Sequence, residues 1–289
     1  MRTSPEDRSN AVSQARVASK SQSLKRGTRF LTIFLLFGLA VTFIALPLVA
    51  LFAHVSLQGF ISSFSTDMVL EALKLSFITS GVSLLIVLLC GTPIAYINAR
   101  HNYFGKGIVE ALTTLPIVLP PAVAGLALLL AFGRRGLVGQ YFNVWGIDIA
   151  FTTLAVILAQ IFVSSPFYIR QATTSFEDVD PMYERAAHTL GASNAHTFFR
   201  VTIPLAFNGL ASGAIMTWAR ALGEFGATVL FAGNFEGRTQ TMPLAIYSAM
   251  QGDIESAIYI AIVLVLISFA VIVAVRWFSW RATGNRAGI

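Results

Sequence analysis

Arg220 and Glu224 stand four residues apart inside an apolar run, and Glu184, Arg185 and His188 break a second apolar region within Met182–Ser193. A guanidinium and a carboxylate at i and i+4 meet on one helix face. In a membrane such charges are costly unless they are paired or face a cavity, so the chemistry open to them is ion attraction, closure by an ion pair, or ion coupling. Bond-making chemistry has no such support. Cys90 is the one thiol, and His54, His101, His188 and His196 show no metal-ligand grouping. The phosphate-loop pattern G-x-x-x-x-G-K-[ST] does not occur, and the glycines of Gly133–Gly139 neither follow a strand nor open a nucleotide-binding helix. No catalytic residue, metal ligand or cofactor is assigned to the chain.

The elements that must position these residues are membrane helices. Of the 289 residues, 55% are apolar and 12% charged, and the mean hydropathy is +0.71, far from the soluble balance of about a quarter charged. Apolar runs near or above the roughly 20 residues that span the hydrocarbon core fall at about 30–53, 69–97, 108–132, 149–169, 204–231 and 254–275. The expectation is an all-α polytopic membrane protein with six transmembrane helices, kinked most sharply at Leu115–Pro121, where three prolines lie within seven residues.

Lys and Arg set the orientation. They crowd the tail before residue 30, then recur as Arg100 and Lys106, as Arg170, Arg185 and Arg200, and as Arg276, Arg281 and Arg286; the opposite flanks carry Arg134, Arg135 and Arg238. The positive-inside rule places both termini in the cytoplasm, in a multi-pass inner-membrane protein. Residues 1–29 then form a disordered basic cytoplasmic tail, 30–276 the membrane domain, 170–203 a cytoplasmic loop within it, and 277–289 a second tail. The pI of about 9.8 reflects flanks lying against anionic lipid, so membrane lipid rather than nucleic acid is the expected charged partner.

Within that loop, Asp180 and Pro181 supply an N-cap and a first helical position, and Gly191 a stop. Met182, Ala186 and Leu190 recur every four residues with Tyr183 and Ala187 beside them. The spacing predicts a short surface helix, followed by a second from Ser193 or Asn194 that leads into the fifth span. An amphipathic hairpin lying on the bilayer fits the periodicity equally well; the small alanines beside a glycine favour a protein groove over lipid.

The run Glu184–Gly191 followed by Phe198–Pro204 resembles the EAA-to-glycine loop of ABC importer membrane subunits, except that Arg185 stands where the family's Glu usually precedes the alanine pair. Further on, Ala221–Thr228, Phe231–Asn234 and Gly237–Tyr247 resemble the molybdate or tungstate branch, with sulfate and thiosulfate permeases the alternative. The resemblance implies the ABC importer permease fold and a homodimer. It also implies a separate ATPase subunit that binds ATP and Mg, and an extracytoplasmic oxyanion-binding protein. It assigns ATPase coupling to Tyr183, Glu184, Arg185, Ala186, Ala187, Leu190, Gly191, Ala192 and Ser193.

Along the fifth run, Asn208, Ser212, Met216, Arg220, Glu224 and Thr228 recur every four residues, a mostly polar stripe. Ser212, Arg220, Glu224 and Thr228 are the expected path or gate, with Arg220 and Glu224 serving either as a structural ion pair or in contact with the anion. Gly209 and Gly213, a small-xxx-small element, and Gly223 and Gly226 are expected at helix packing contacts, within one subunit or at the dimer seam. A stand-alone secondary transporter is the main rival; it would not need the alanine-to-glycine loop. An intramembrane enzyme is a remoter one.

Overall fold

The computed structural model describes residues 30, 32–53 and 67–284, with side chains as far as 273. The basic N-terminal tail, His54 and the last five residues lie outside this range. Every regular element among the described residues is helical: α1 (Thr32–Ala53), α2 (Asp67–Arg100), α3 (Lys106–Val118), α4 (Pro121–Phe132), α5 (Gly139–Val144), α6 (Thr153–Glu177), α7 (Pro181–Thr189), α8 (Asn194–Leu222), α9 (Gly226–Phe231), α10 (Met242–Gly252) and α11 (Ile254–Gly284). Helix α1 forms one compact unit by itself and α2–α11 form another.

Helices α1, α2, α6, α8 and α11 are each long and apolar enough to cross a membrane, and α3 with α4 makes a further run bent by 118°. That bend falls at Leu119-Pro120, both extended (ψ 133° and 134°), inside the proline-rich stretch expected to kink. The ring of a proline pushes the residue before it out of the helical region, and Pro121 then starts α4 at its first position, where a missing N–H costs nothing. The break is therefore written into three consecutive residues.

Helix α6 sits at the centre of the second unit, against α2, α8, α3, α9 and α4. Its contact with α2 is made by small and polar side chains. Gln160 of α6 donates through Nε2 to Thr79 Oγ1 at 3.2 Å and accepts from Ser83 Oγ at 3.0 Å. Tyr168 Oη lies 2.6 Å from Thr92 Oγ1. Ser76 of α2 accepts from the backbone N–H of Met242 at 2.7 Å, which ties the start of α10 into the same layer. In lipid each such interhelical hydrogen bond contributes about 0.6 kcal/mol on average, so the set acts collectively.

The opposite flank of α6 meets α8 through Gly209 and Gly213. A Cβ on Gly209 would fall on the Ser175 hydroxyl, and one on Gly213 would lie 3.0 Å from Gln171 Cβ. The small-xxx-small element thus closes a contact within one chain. Helix α6 also continues to Glu177, so Arg170, expected in the loop, is helical and the loop begins at Asp178.

Gly209→Val overpacks the α6–α8 contact and is expected to cost about 1–3 kcal/mol. Gly81→Ala on α2, with no atom within 4 Å of the added carbon, is expected to be neutral or to gain up to about 1 kcal/mol. Thermal melts of the purified protein in detergent compare the two, and equal melting temperatures would contradict the close approach.

Candidate functional site

One end of the bundle carries α7. Asp180 Oδ1 accepts from Met182 N–H at 2.8 Å and Pro181 occupies the first helical position. At the other end Gly191 takes φ +86°, a conformation that glycine adopts without strain, and donates to His188 O at 2.9 Å. Ser193 then caps the next helix by accepting from His196 N–H at 3.3 Å. Helix α8 opens there and passes through a π-helical turn over Phe198–Thr202 before its membrane portion.

These caps make α7 a short rigid rod with two faces. Outward it presents Met182, Tyr183, Arg185, Ala186 and Leu190, the last 89% exposed, with Gly191 and Ser193 exposed beyond it; Ala187 and Ala192 are half-buried. Inward it presents Glu184. Its Oε1 accepts from Arg100 Nε at 3.2 Å, from Arg100 Nη2 at 3.1 Å and from Thr202 Oγ1 at 2.8 Å. The same Arg100 Nη2 donates to Val179 O at 2.8 Å. Arg100 and Glu184 are 10% and 13% exposed, which makes this a largely desolvated clasp joining the last turn of α2, the loop before α7, α7 itself and the start of α8.

Beneath the clasp, Tyr96 stacks edge-on against Phe176 at 5.5 Å and Phe198 at 4.9 Å. Glu184, expected among the coupling residues, is turned into the bundle. Its partner lies 84 residues away in sequence, and no spacing rule reaches that far. The signal that existed was a lone Arg closing an apolar helix.

At the far end of α8, about 40 Å from Asn194 at 1.5 Å per residue, lies the second cluster. Arg220 Nη1 meets Glu224 Oε2 at 2.7 Å, and Glu224 is 1% exposed. The stripe expected on one continuous helix is cut here, because α8 ends at Leu222 and α9 begins at Gly226. Glu224 occupies the break, where its Oε1 accepts from Ala227 N–H at 2.8 Å and caps α9. Asn208, Ser212 and Met216 are exposed on α8, whereas Thr228 is buried on α9. Gly226 faces Pro121, with an added Cβ 2.5 Å from the proline's own, so α9 packs on the start of α4; Gly223 meets only the last turn of α8.

A bundle of broken and unbroken membrane helices with a capped amphipathic helix at one end suits translocation. Residues 88–283 match the family described as binding-protein-dependent transport system inner membrane component. The chain belongs to this family. Three relatives agree. It is 43% identical over 208 residues to the probable transport system permease protein NifC of Clostridium pasteurianum, covering 72% of this chain and 73% of the relative. It is 41% identical over 235 residues to the molybdenum transport system permease protein ModB of Mycobacterium tuberculosis, covering 81% and 89%. Over 261 residues it is 34% identical to the molybdate/tungstate transport system permease protein WtpB of Pyrococcus abyssi, covering 89% and 99%.

Among solved structures, a bacterial ABC transporter involved in the import of the acidic polysaccharide alginate superposes with a TM-score of 0.73 over 91% of this chain and 99% of that one. At 16% identity that likeness is one of fold. This member of the transport-component family is a multi-pass inner-membrane protein with the fold of an ABC importer's membrane subunit.

Removing either partner of the Arg100–Glu184 clasp leaves a mostly buried charge. Arg100→Met or Glu184→Gln is expected to destabilise the protein by about 1–3 kcal/mol after allowance for residual solvent access, and the double substitution by less than the sum. Thr202→Val should cost about 1 kcal/mol. A double-mutant cycle on thermal unfolding, with proteolysis of the 178–193 segment followed in parallel, checks both; additive single effects would contradict the clasp.

Proposed function

We propose that this chain is the permease subunit of an ATP-driven importer, acting as a homodimer, and that it carries molybdate or tungstate delivered by an extracytoplasmic binding protein. The names of the ModB and WtpB relatives support the substrate. The observation that carries the coupling is α7: a helix capped at both ends and clasped to the bundle from within, with Met182, Tyr183 and Leu190 bare on its outer face. Bulky apolar side chains around exposed Ala186 suit a protein groove. Its occupant is the separate ATPase subunit, which holds ATP and Mg. The α7 end therefore faces the cytoplasm, in keeping with Arg100, Lys106, Arg185 and Arg200 around it, and both termini lie on that side.

The route for the anion runs along the exposed face of α8. Asn208 and Ser212 are unsuited to lipid, and a second copy across the path accounts for their exposure. Arg220 and Glu224 serve as the outer clasp rather than as an anion contact, because Glu224 is sealed from solvent and both its oxygens are engaged by the chain.

Leu190→Asp and Tyr183→Asp alter only exposed side chains, so both variants should insert and melt normally. Molybdenum accumulation, in cells lacking their own permease and supplied with the cognate ATPase and binding protein, should fall at least about tenfold, the loss expected for a central apolar anchor of an interface worth about 1.4 kcal/mol or more. Unchanged accumulation with the ATPase still co-purifying would refute the docking face. Arg220→Ala should be harmful, while Arg220→Met combined with Glu224→Gln should retain most uptake, since the glutamine can still cap α9. Loss of uptake in the double variant with the dimer intact would transfer Arg220 to the anion path.

A further inference from the structure

At the α7 end of the bundle, α2, α3 and α6 enclose a polar cavity of about 220 Å³ that opens to the surface. Its lining is unusual for a membrane bundle. Asn98 of α2 is 2% exposed; its Oδ1 accepts from the Tyr103 hydroxyl, while its Nδ2 has no partner among the described residues. An amide N–H2 at the wall of an open cavity takes water or a ligand as its acceptor.

Arg170 of α6 lines the same space, exposed, with no carboxylate in ion-pair range among the described residues. Glu110 of α3, the one acidic side chain in the lining, is paired with Lys106 at 3.8 Å. The local balance of Arg170 and Lys106 against Glu110 is therefore one net positive charge.

The hydroxyls sort the same way. Thr113 and Thr173 spend their protons on the carbonyls of Val109 and Ile169 in their own helices. The hydroxyls of Thr114 and Thr174, also in the lining, show no hydrogen bond among the described residues and are open to donate. A guanidinium fork, an amide N–H2 and two hydroxyls are all donors, the complement of an anion's oxygens.

We propose that this cavity is a transit site for a tetrahedral oxyanion, with Arg170 as its charge and Asn98, Thr114 and Thr174 as orienting donors. The inference rests on the importer reading above and adds to the α8 face a separate pause site on α2, α3 and α6, at the cytoplasmic end of the route. At about 30 Å³ per water, the cavity holds about seven waters, so the anion enters with part of its hydration shell. One net charge facing a dianion binds it weakly, which suits a site that must let go. The phosphate of an anionic lipid headgroup offers the same oxygens and is the other source of the same ligand chemistry.

The test is protection of Arg170 from an arginine-specific dicarbonyl reagent, read at each arginine by mass spectrometry on the full chain in phosphatidylcholine nanodiscs. Molybdate at ten times its Kd should slow modification of Arg170 about tenfold, by mass action, and leave exposed Arg185 and Arg200 unchanged. Thr114→Val, a half-exposed position, should weaken that protection without altering the fold, and Asn98→Leu should weaken it further. Equal modification rates with and without molybdate, sulfate or inorganic phosphate, and in phosphatidylglycerol nanodiscs, would overturn the site. Protection by phosphatidylglycerol alone would keep the anion site but assign it to lipid and overturn its place on the path. In the cellular assay Arg170→Gln should lower molybdenum accumulation with α7 still docking the ATPase. Full accumulation by Arg170→Gln would overturn the transit role while leaving the importer reading intact. Protection without any accumulation by the unmodified chain would overturn the importer reading, and the transit role with it, and leave an anion site alone.

Discussion

Helices in a bilayer gain nothing from hiding apolar surface from one another, because lipid tails are as apolar as leucine. What holds α2–α11 together is close approach. Helix α6 can be approached on several sides because the contacts use glycine, serine and alanine: Gly209 and Gly213 from α8, Gly91 from α2 against Tyr168, and the buried Ser76, Thr79, Ser80 and Ser83 of α2 around Gln160. Dispersion and a few hydrogen bonds act over short distances only, so each added carbon at these positions removes part of the attraction that hydrophobic burial would supply in a soluble protein. The rest of the bundle is arranged around that central helix.

A tightly packed scaffold allows irregular backbone elsewhere. Between α3 and α4, and again between α8 and α9, the helix stops inside an apolar stretch, and the two interruptions meet where Gly226 rests on Pro121. Backbone groups freed at such breaks must be satisfied within the protein. The carboxylate of Glu224 does this for α9, and Arg220 offsets the charge that the carboxylate brings. Both oxygens of this carboxylate thus have a place in the fold, one on α9 and one beside Arg220.

The two ends of α8 are handled differently for a related reason. At the α7 end the clasp of Arg100, Glu184 and Thr202 joins three elements through one carboxylate oxygen. A force on α7 therefore reaches the ends of α2 and α8 without passing through a flexible loop. Such a linkage suits a helix that receives motion from a partner, and it explains how a rod of nine residues is held firmly while its outer face stays bare.

Much of this was legible in the residues themselves wherever the cause was local. Apolar runs marked the spans, Leu115–Pro121 marked the bend, and Asp180, Pro181, Gly191 and Ser193 marked the limits of the α7 hairpin, because length, ring constraints and capping act within a few residues. Four-residue periodicity failed at Glu224 and Thr228, since the pattern continues through a stretch where Gly223 ends the helix. The direction of the Gly209–Gly213 face, the inward turn of Glu184 and the grouping of Asn98 with Arg170 were decided by tertiary structure alone. Each depends on which helix lies alongside, and side chains separated by tens of residues meet only after the helices have packed.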